Sequence, residues 1–345
     1  MCSSDLWWSA GGAVTPAVRG LGMLAAAVAG FFLPALLGAV APGVPATGAL
    51  VVIAIFAVMA YGLDIVVTDL GEVSLAHTVF FAAGAYATGL LATRAGLGAW
   101  GTLAGAVLAA AGIAAVLGLL TLRLREFVFS LVTYAASVVA AAVAHNWNFL
   151  GGSDGIVGVP QFDLSFGPLA LVARNDAELW PYAYGLLLLV LYFVARFRRS
   201  RLGILAAMAH LNPRLATMSG IDTKRVRLAV FVLSAPVTAL AGWLYAYQRA
   251  YVGPDLFESY FLVLMLTAVV VVGKRLLLGP LVGMALVLGQ ERFFSFGGDV
   301  DAIVLGGALI IVLAFFPGGL SGALALLFRR RGVAAAPAPA AVRQH

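Results

Sequence analysis

Apolar runs separated by short polar connections follow one another along this chain. They lie at about 21–41, 48–67, 75–93, 99–121, 127–145, 180–195, 227–247, 259–272, 276–290 and 302–316. A helix needs about 20 residues to cross a bilayer, so the pattern predicts an all-α integral membrane protein, a polytopic helical bundle of about ten spans. The two segments either side of Gly273 fall short of that length and are expected to tilt, break or re-enter. One polar stretch stands apart. From Arg196 to Arg227 the chain is basic and is set between two long apolar runs, so it must lie in water. Within it Ile204, Met208, Leu211, Leu215 and Met218 recur at steps of four and three, one face of a helix. Asn212 suits an N-cap, Pro213 the first helical position and Gly220 the residue just past the end. A short helix from Pro213 to Ser219 is therefore predicted, preceded by another from about Gly203. A short amphipathic helix between two spans either lies in the interface or engages a soluble partner, and the spacing leaves both open.

Composition closes off other classes. Of 345 residues, 63% are hydrophobic and 10% charged, with a mean hydropathy of +1.03, more apolar surface than a soluble domain can hide. The net charge of +6 then reports Arg-rich loops and not a nucleic-acid partner. With ten spans and both ends on one side, 17 of the 21 Lys and Arg fall on that side, leaving Arg94, Arg174, Arg249 and Arg292 for the other. This imbalance predicts cytoplasmic termini, a cytoplasmic loop at about 196–226 and an extracytoplasmic loop at about 147–179. The chain divides into a cytoplasmic segment 1–20, a transmembrane domain 21–328 and a disordered basic, Ala- and Pro-rich tail 329–345. The opening residues lack the pattern of a cleaved signal peptide, so the first span is expected to be retained. Small residues crowd the spans, as at 82–89, 104–115 and 135–144, which predicts close helix packing.

Motifs for chemistry are sparse. Gly273-Lys274 lacks the first glycine and the Ser or Thr of a phosphate-binding loop, so the chain has no ATP site of that kind. Cys2 is the single cysteine, and neither a metal-ligand spacing nor a hydrolase motif occurs; no metal and no catalytic residue is expected. Ionisable groups in or beside spans are the remaining candidates, because hydrocarbon penalises them unless something uses them. Asp64 lies in the second run, Asp69 and Glu72 fall in the loop after it, and His77 begins the third. Ser74 and His77, three apart, would share a helix face as a polar clamp or a proton path. Gly151, Gly152, Asp154 and Gly155 open a glycine-dense outer turn that is either a loop or a docking surface.

In their order along the chain these pieces resemble the larger, M-type permease of the branched-chain amino-acid ATP-binding-cassette importers, over about Tyr61 to Leu320. The resemblance rests on Tyr61-Gly62-Leu63-Asp64, on Ser74-Leu75-Ala76-His77 with Gly84-Ala85-Tyr86, and on the Gly151 to Pro160 turn. Ser200 to Gly203 with Asn212, Ala216, Gly220 and Ile221 extend it, as do Pro254-Asp255, Gly279-Pro280 and Pro317 with Gly319-Leu320. It implies a transport subunit and not an enzyme. Its partners would be a second permease, two cytoplasmic ATPases that bind ATP and magnesium, and an extracytoplasmic solute-binding protein, all at a bacterial inner membrane. The cargo would be branched-chain amino acids or related small solutes. It also turns the 196–226 loop into an ATPase-coupling segment carried by Gly203, Met208, His210, Leu211, Asn212, Pro213, Leu215, Ala216, Gly220 and Ile221. Asp64, Ser74, His77 and Tyr86 become candidates for the translocation path or a polar clamp. The chain departs from the family at Ala207, Leu211, Pro213 and Thr217, where charged residues are usual, and at Asp64, where Asn is common. A proton-coupled transporter using Asp64 and His77, or an intramembrane transferase using Asp69 and Glu72, are the alternatives.

Overall fold

A computed structural model describes residue 25 and residues 27–40, 46–121, 124, 126–165, 171–273, 276–293, 303 and 307. The predicted segments 1–20 and 329–345, and nearly all of the 302–316 run, lie outside the described residues. The helices, in order, are α1 (Leu33–Val40), α2 (Ala46–Asp64), α3 (His77–Arg94), α4 (Ala99–Thr121), α5 (Glu126–Asn146) and α6 (Asp176–Arg198). The short α7 (Arg201–Leu211) and α8 (Pro213–Met218) follow, then α9 (Thr223–Arg249), α10 (Ser259–Val272) and α11 (Gly279–Phe293). Among the described residues, five helical segments are long and apolar enough to cross a membrane: Ala46–Leu70, Ala99–Thr121, Phe127–Asn146, Asp176–Arg198 and Thr223–Arg249. α10 and α11, at 14 and 15 residues, are the short pair expected around Gly273, and they pack on each other and on α2.

Small residues decide which faces meet. In α4 the buried positions are Ala99, Thr102, Ala106, Ala110, Ala114, Gly118 and Thr121, a stripe nearly every fourth residue, while Leu108, Val116, Leu119 and Leu120 face outward. In lipid the large side chains gain nothing by turning inward, whereas small ones let backbones approach. Gly84 of α3 lies against the backbone of Ala239, and Gly242 of α9 lies against that of Phe81 and Ala85, so α3 and α9 touch backbone to backbone from both sides. Thr88 bonds back to the Gly84 carbonyl at 2.7 Å and Thr267 to that of Val263 at 2.7 Å, which satisfies these hydroxyls within their own helices.

α2 is the central helix, buried along most of its length among α6, α9, α10 and α11. It does not end at Asp64. The chain continues through Leu70 as a π-helical turn, Ile65–Leu70, and stops at Gly71 in the left-handed region (φ 71°). Asp69, expected in a loop, is therefore part of this turn and is buried. At the opposite end of the bundle two small antiparallel ladders brace the long loop: β1 (Ile156–Val157) with β4 (Tyr251–Val252), and β2 (Phe162–Asp163) with β3 (Val172–Ala173).

Candidate functional site

The bundle has two chemically different ends. At one, Arg198 closes α6 and donates from Nη2 to Asp64 Oδ2 at 2.7 Å and from Nε to Asp69 Oδ2 at 3.3 Å. Thr68 donates to the other Asp64 oxygen at 2.5 Å. Nearby, Arg227 at the start of α9 pairs with Glu72 at 2.5 Å and donates to the Leu124 carbonyl at 3.1 Å. Ser130 of α5 donates to the Val73 carbonyl at 2.6 Å. The ends of α2, α5, α6 and α9 thus meet here, at the end that also carries α7 and α8.

Local signals build α7 and α8 much as their residues predict. Ser200 caps α7 by accepting from the Gly203 amide, which starts the helix at Arg201, two residues before the expected Gly203. Gly203 is buried where a Cβ would run into the Phe197 carbonyl, so a larger residue would force α6 and α7 apart. Asn212 ends α7 and caps α8, accepting from the Leu215 amide at 3.0 Å, with Pro213 at the first turn. α8 stops in a Schellman motif: the Ile221 amide bonds the Ala216 carbonyl, the Gly220 amide bonds that of Thr217, and Gly220 has φ 81°. The helix reaches Met218, with Ser219 as its C-cap.

The two helices are amphipathic in an unusual sense. Gly203, Ala206, Ala209 and Ala216 face the protein, while Ile204 (48% exposed), Met208 (50%), Leu211 (67%), Leu215 (61%) and Met218 (85%) face away. Large apolar groups turned out of the protein form an exposed face of the kind that meets a partner protein or a membrane surface. His210, also at the outside, has its imidazole packed on Gly71, at the end of the π-helical turn.

The polar candidates of the spans divide. Asp64 is clamped by Arg198 as above. Ser74 lies in the connection before α3 and so shares no helix face with His77, whose Nε2 lies 3.2 Å from Ser234 Oγ of α9. The ring sits between Phe80 and Phe231. Ser74 Oγ accepts from the Ala76 amide, a local turn. Tyr86 stacks on Phe257 with centroids 6.0 Å apart, toward the other end of α3. Arg198 and Arg227 were not singled out from the sequence; the available signal was two acids and a basic cluster at the ends of neighbouring spans.

At the opposite end Gly151, Gly152 and Gly155 all have positive φ (92°, 56° and 69°), and Asp154 ends the single helical turn between them. Gly155, at ψ −164°, occupies a region open essentially to glycine alone, and a Cβ there would come 2.5 Å from the Val252 carbonyl. Gly155→Ala is expected to cost the loop about 2 kcal/mol and to open the β1–β4 ladder. Protease should then nick the loop several times faster in detergent; nicking at the wild-type rate would mean that the ladder does not hold it.

A helical bundle with helices long and apolar enough to cross a membrane, and short capped helices between two of them, is the architecture of a polytopic membrane protein. A family model described as "Branched-chain amino acid transport system / permease component" matches residues 46–313. The chain belongs to this family and is a transport permease. It is 30% identical over 295 residues to the "High-affinity branched-chain amino acid transport system permease protein LivM" of Escherichia coli (strain K12), covering 77% of this chain and 67% of that one. To the protein of the same description from Salmonella typhimurium it is 29% identical over 289 residues, with the same coverage. No solved structure matches the chain.

Proposed function

We propose that this chain is one permease subunit of an ATP-driven importer of a bacterial inner membrane, and that α7 and α8 are the part gripped by a separate ATPase. The observation that carries this reading is the outward apolar face from Ile204 to Met218 at the basic end of the bundle. The chain would bind no cofactor; ATP and magnesium would belong to two cytoplasmic ATPases. A second permease would complete the translocation path, and a soluble solute-binding protein would dock on the far side near Gly151 to Gly155. The basic end with both termini faces the cytoplasm by the same charge asymmetry. Branched-chain amino acids, named for the two relatives, are the cargo, moved by alternating access as ATPase closure rocks the bundle.

The proton-driven alternative is disfavoured by the environment of Asp64, whose two oxygens are engaged by Arg198 and Thr68. Uptake should therefore stop on ATP depletion and persist when the proton gradient is collapsed.

Replacing Met208, Leu211 and Leu215 together by Asp tests the docking face. These side chains lie outside the bundle, so the variant should insert at normal yield. Burying three carboxylates in an apolar groove costs several kcal/mol, so the ATPases should no longer co-purify. Co-purification at the wild-type level would overturn the docking role.

A further inference from the structure

The turn at Ile65–Leu70 lies where the most buried helix leaves the core, and it is held at two places: Arg198, the last residue of α6 and three residues before α7, grips Asp64 and Asp69, and His210, in the last turn of α7, rests on Gly71. The geometry of the grip depends on the turn. In an α-helix residues five apart are turned by roughly 140° from one another, so Asp64 and Asp69 would face different sides. The i to i+5 bonding of a π turn places them one above the other, which is why a single guanidinium reaches both. Arginine suits this task because its planar fork presents several donors at once. A π turn closes each bond over one more residue than an α turn does, so the six residues between Asp64 and Gly71 can also bond in α register.

We infer that Arg198 is a positioning residue for transport: it holds the 65–70 turn in π register, and movement of the docking helices releases Asp69, returns the turn to α register and rotates the inner end of α2. This rests on the reading of α7 and α8 as the ATPase-coupling element. The step is a two-state change in a packed helix, the kind of element that converts a small displacement into a discrete one. Its input is the position of α7, and its output is α2, which packs on α6, α9, α10 and α11.

The test uses the intact complex of this permease with its ATPases, reconstituted in liposomes with the remaining subunits. Asp69→Asn and Arg198→Lys each remove one half of the double grip with little change of volume. Both are expected to retain the ATPases and to hydrolyse ATP, yet to lower uptake by about tenfold. Asp69→Glu, which restores the charge, should recover part of the uptake. Hydrogen exchange of the wild-type complex gives a reading without any variant: amides of Val66 to Leu70 should exchange faster when a non-hydrolysable ATP analogue is bound. Wild-type uptake in Asp69→Asn, loss of the ATPases from Arg198→Lys, or exchange at 66–70 that ignores the nucleotide would each overturn the inference. Failure of the wild-type permease to retain any ATPase would instead remove the docking reading on which it rests.

Discussion

Gly242→Val is expected to leave little folded protein in detergent. A Cβ at Gly242 meets the Phe81 carbonyl oxygen at once, with Ala85 N and Phe81 C at 3.0 Å, all of them backbone atoms of α3. The facing helix makes the same demand in return: at Gly84 the Ala239 Cα and C would lie 2.8 and 2.9 Å from the new atom. Gly62 of α2 is closed by Thr238, so three core helices converge on one tight seam. Overpacking in soluble cores costs about 1–3 kcal/mol when side chains can shift; here whole backbones must part, so about 3 kcal/mol or more is expected, out of a total on the order of 10. Thermal melting followed by size-exclusion chromatography reads the loss. Gly112, which has nothing within 4 Å, is the control: Gly112→Ala should melt at or above the wild-type temperature, because alanine favours the helix by about 1 kcal/mol. A Gly242→Val protein as stable as wild type would show that this seam does not hold the bundle.

The features that could be read from the chain alone are those set by local chemistry. Long apolar runs located the spans because hydrocarbon demands about 20 apolar residues of any helix that crosses it. The start and stop of α8 at Asn212 and Gly220 were legible for the same reason, since a cap bond and a left-handed glycine involve only neighbours in sequence. The 4-residue stripe of α4 could be seen as small residues, but not which helix it would meet. Contacts across long separations escaped. His77 finds Ser234, 157 positions on, and the ladder of Ile156 with Val252 joins the outer loop to the end of α9. The π register of 65–70 escaped too: apolar periodicity reads such a segment as ordinary α-helix, and the arginine that grips its two acids lies 134 positions after Asp64.

The pair of Glu72 with Arg227 separates stability from coupling. It sits at the same end of the bundle as the Arg198 grip, but its ion pair joins the connection after α2 to the start of α9, not the end of α6 to the 65–70 turn. Its side chains are 12% and 22% exposed, beside Leu70, Phe129, Leu228 and Phe231. Glu72→Ala leaves the guanidinium against an apolar wall, which in a fully buried site would cost about 3–5 kcal/mol and at this partial exposure about 2. The double variant Glu72→Ala with Arg227→Met removes both charges and keeps the stem volume, so it should regain most of that loss. Melting temperatures of the two single variants and the double one form the cycle that reads the pair. Uptake by the double variant is expected near the wild-type rate, in contrast to the loss expected for Asp69→Asn at nearly full stability. The same measurement disposes of an intramembrane transferase built on Asp69 and Glu72, which would lose all activity without the Glu72 carboxylate. Should the double variant stay stable yet stop transporting, the carboxylate at 72 would have a role beyond its ion pair, and the division between a structural clamp and a moving one at this end of the bundle would fall.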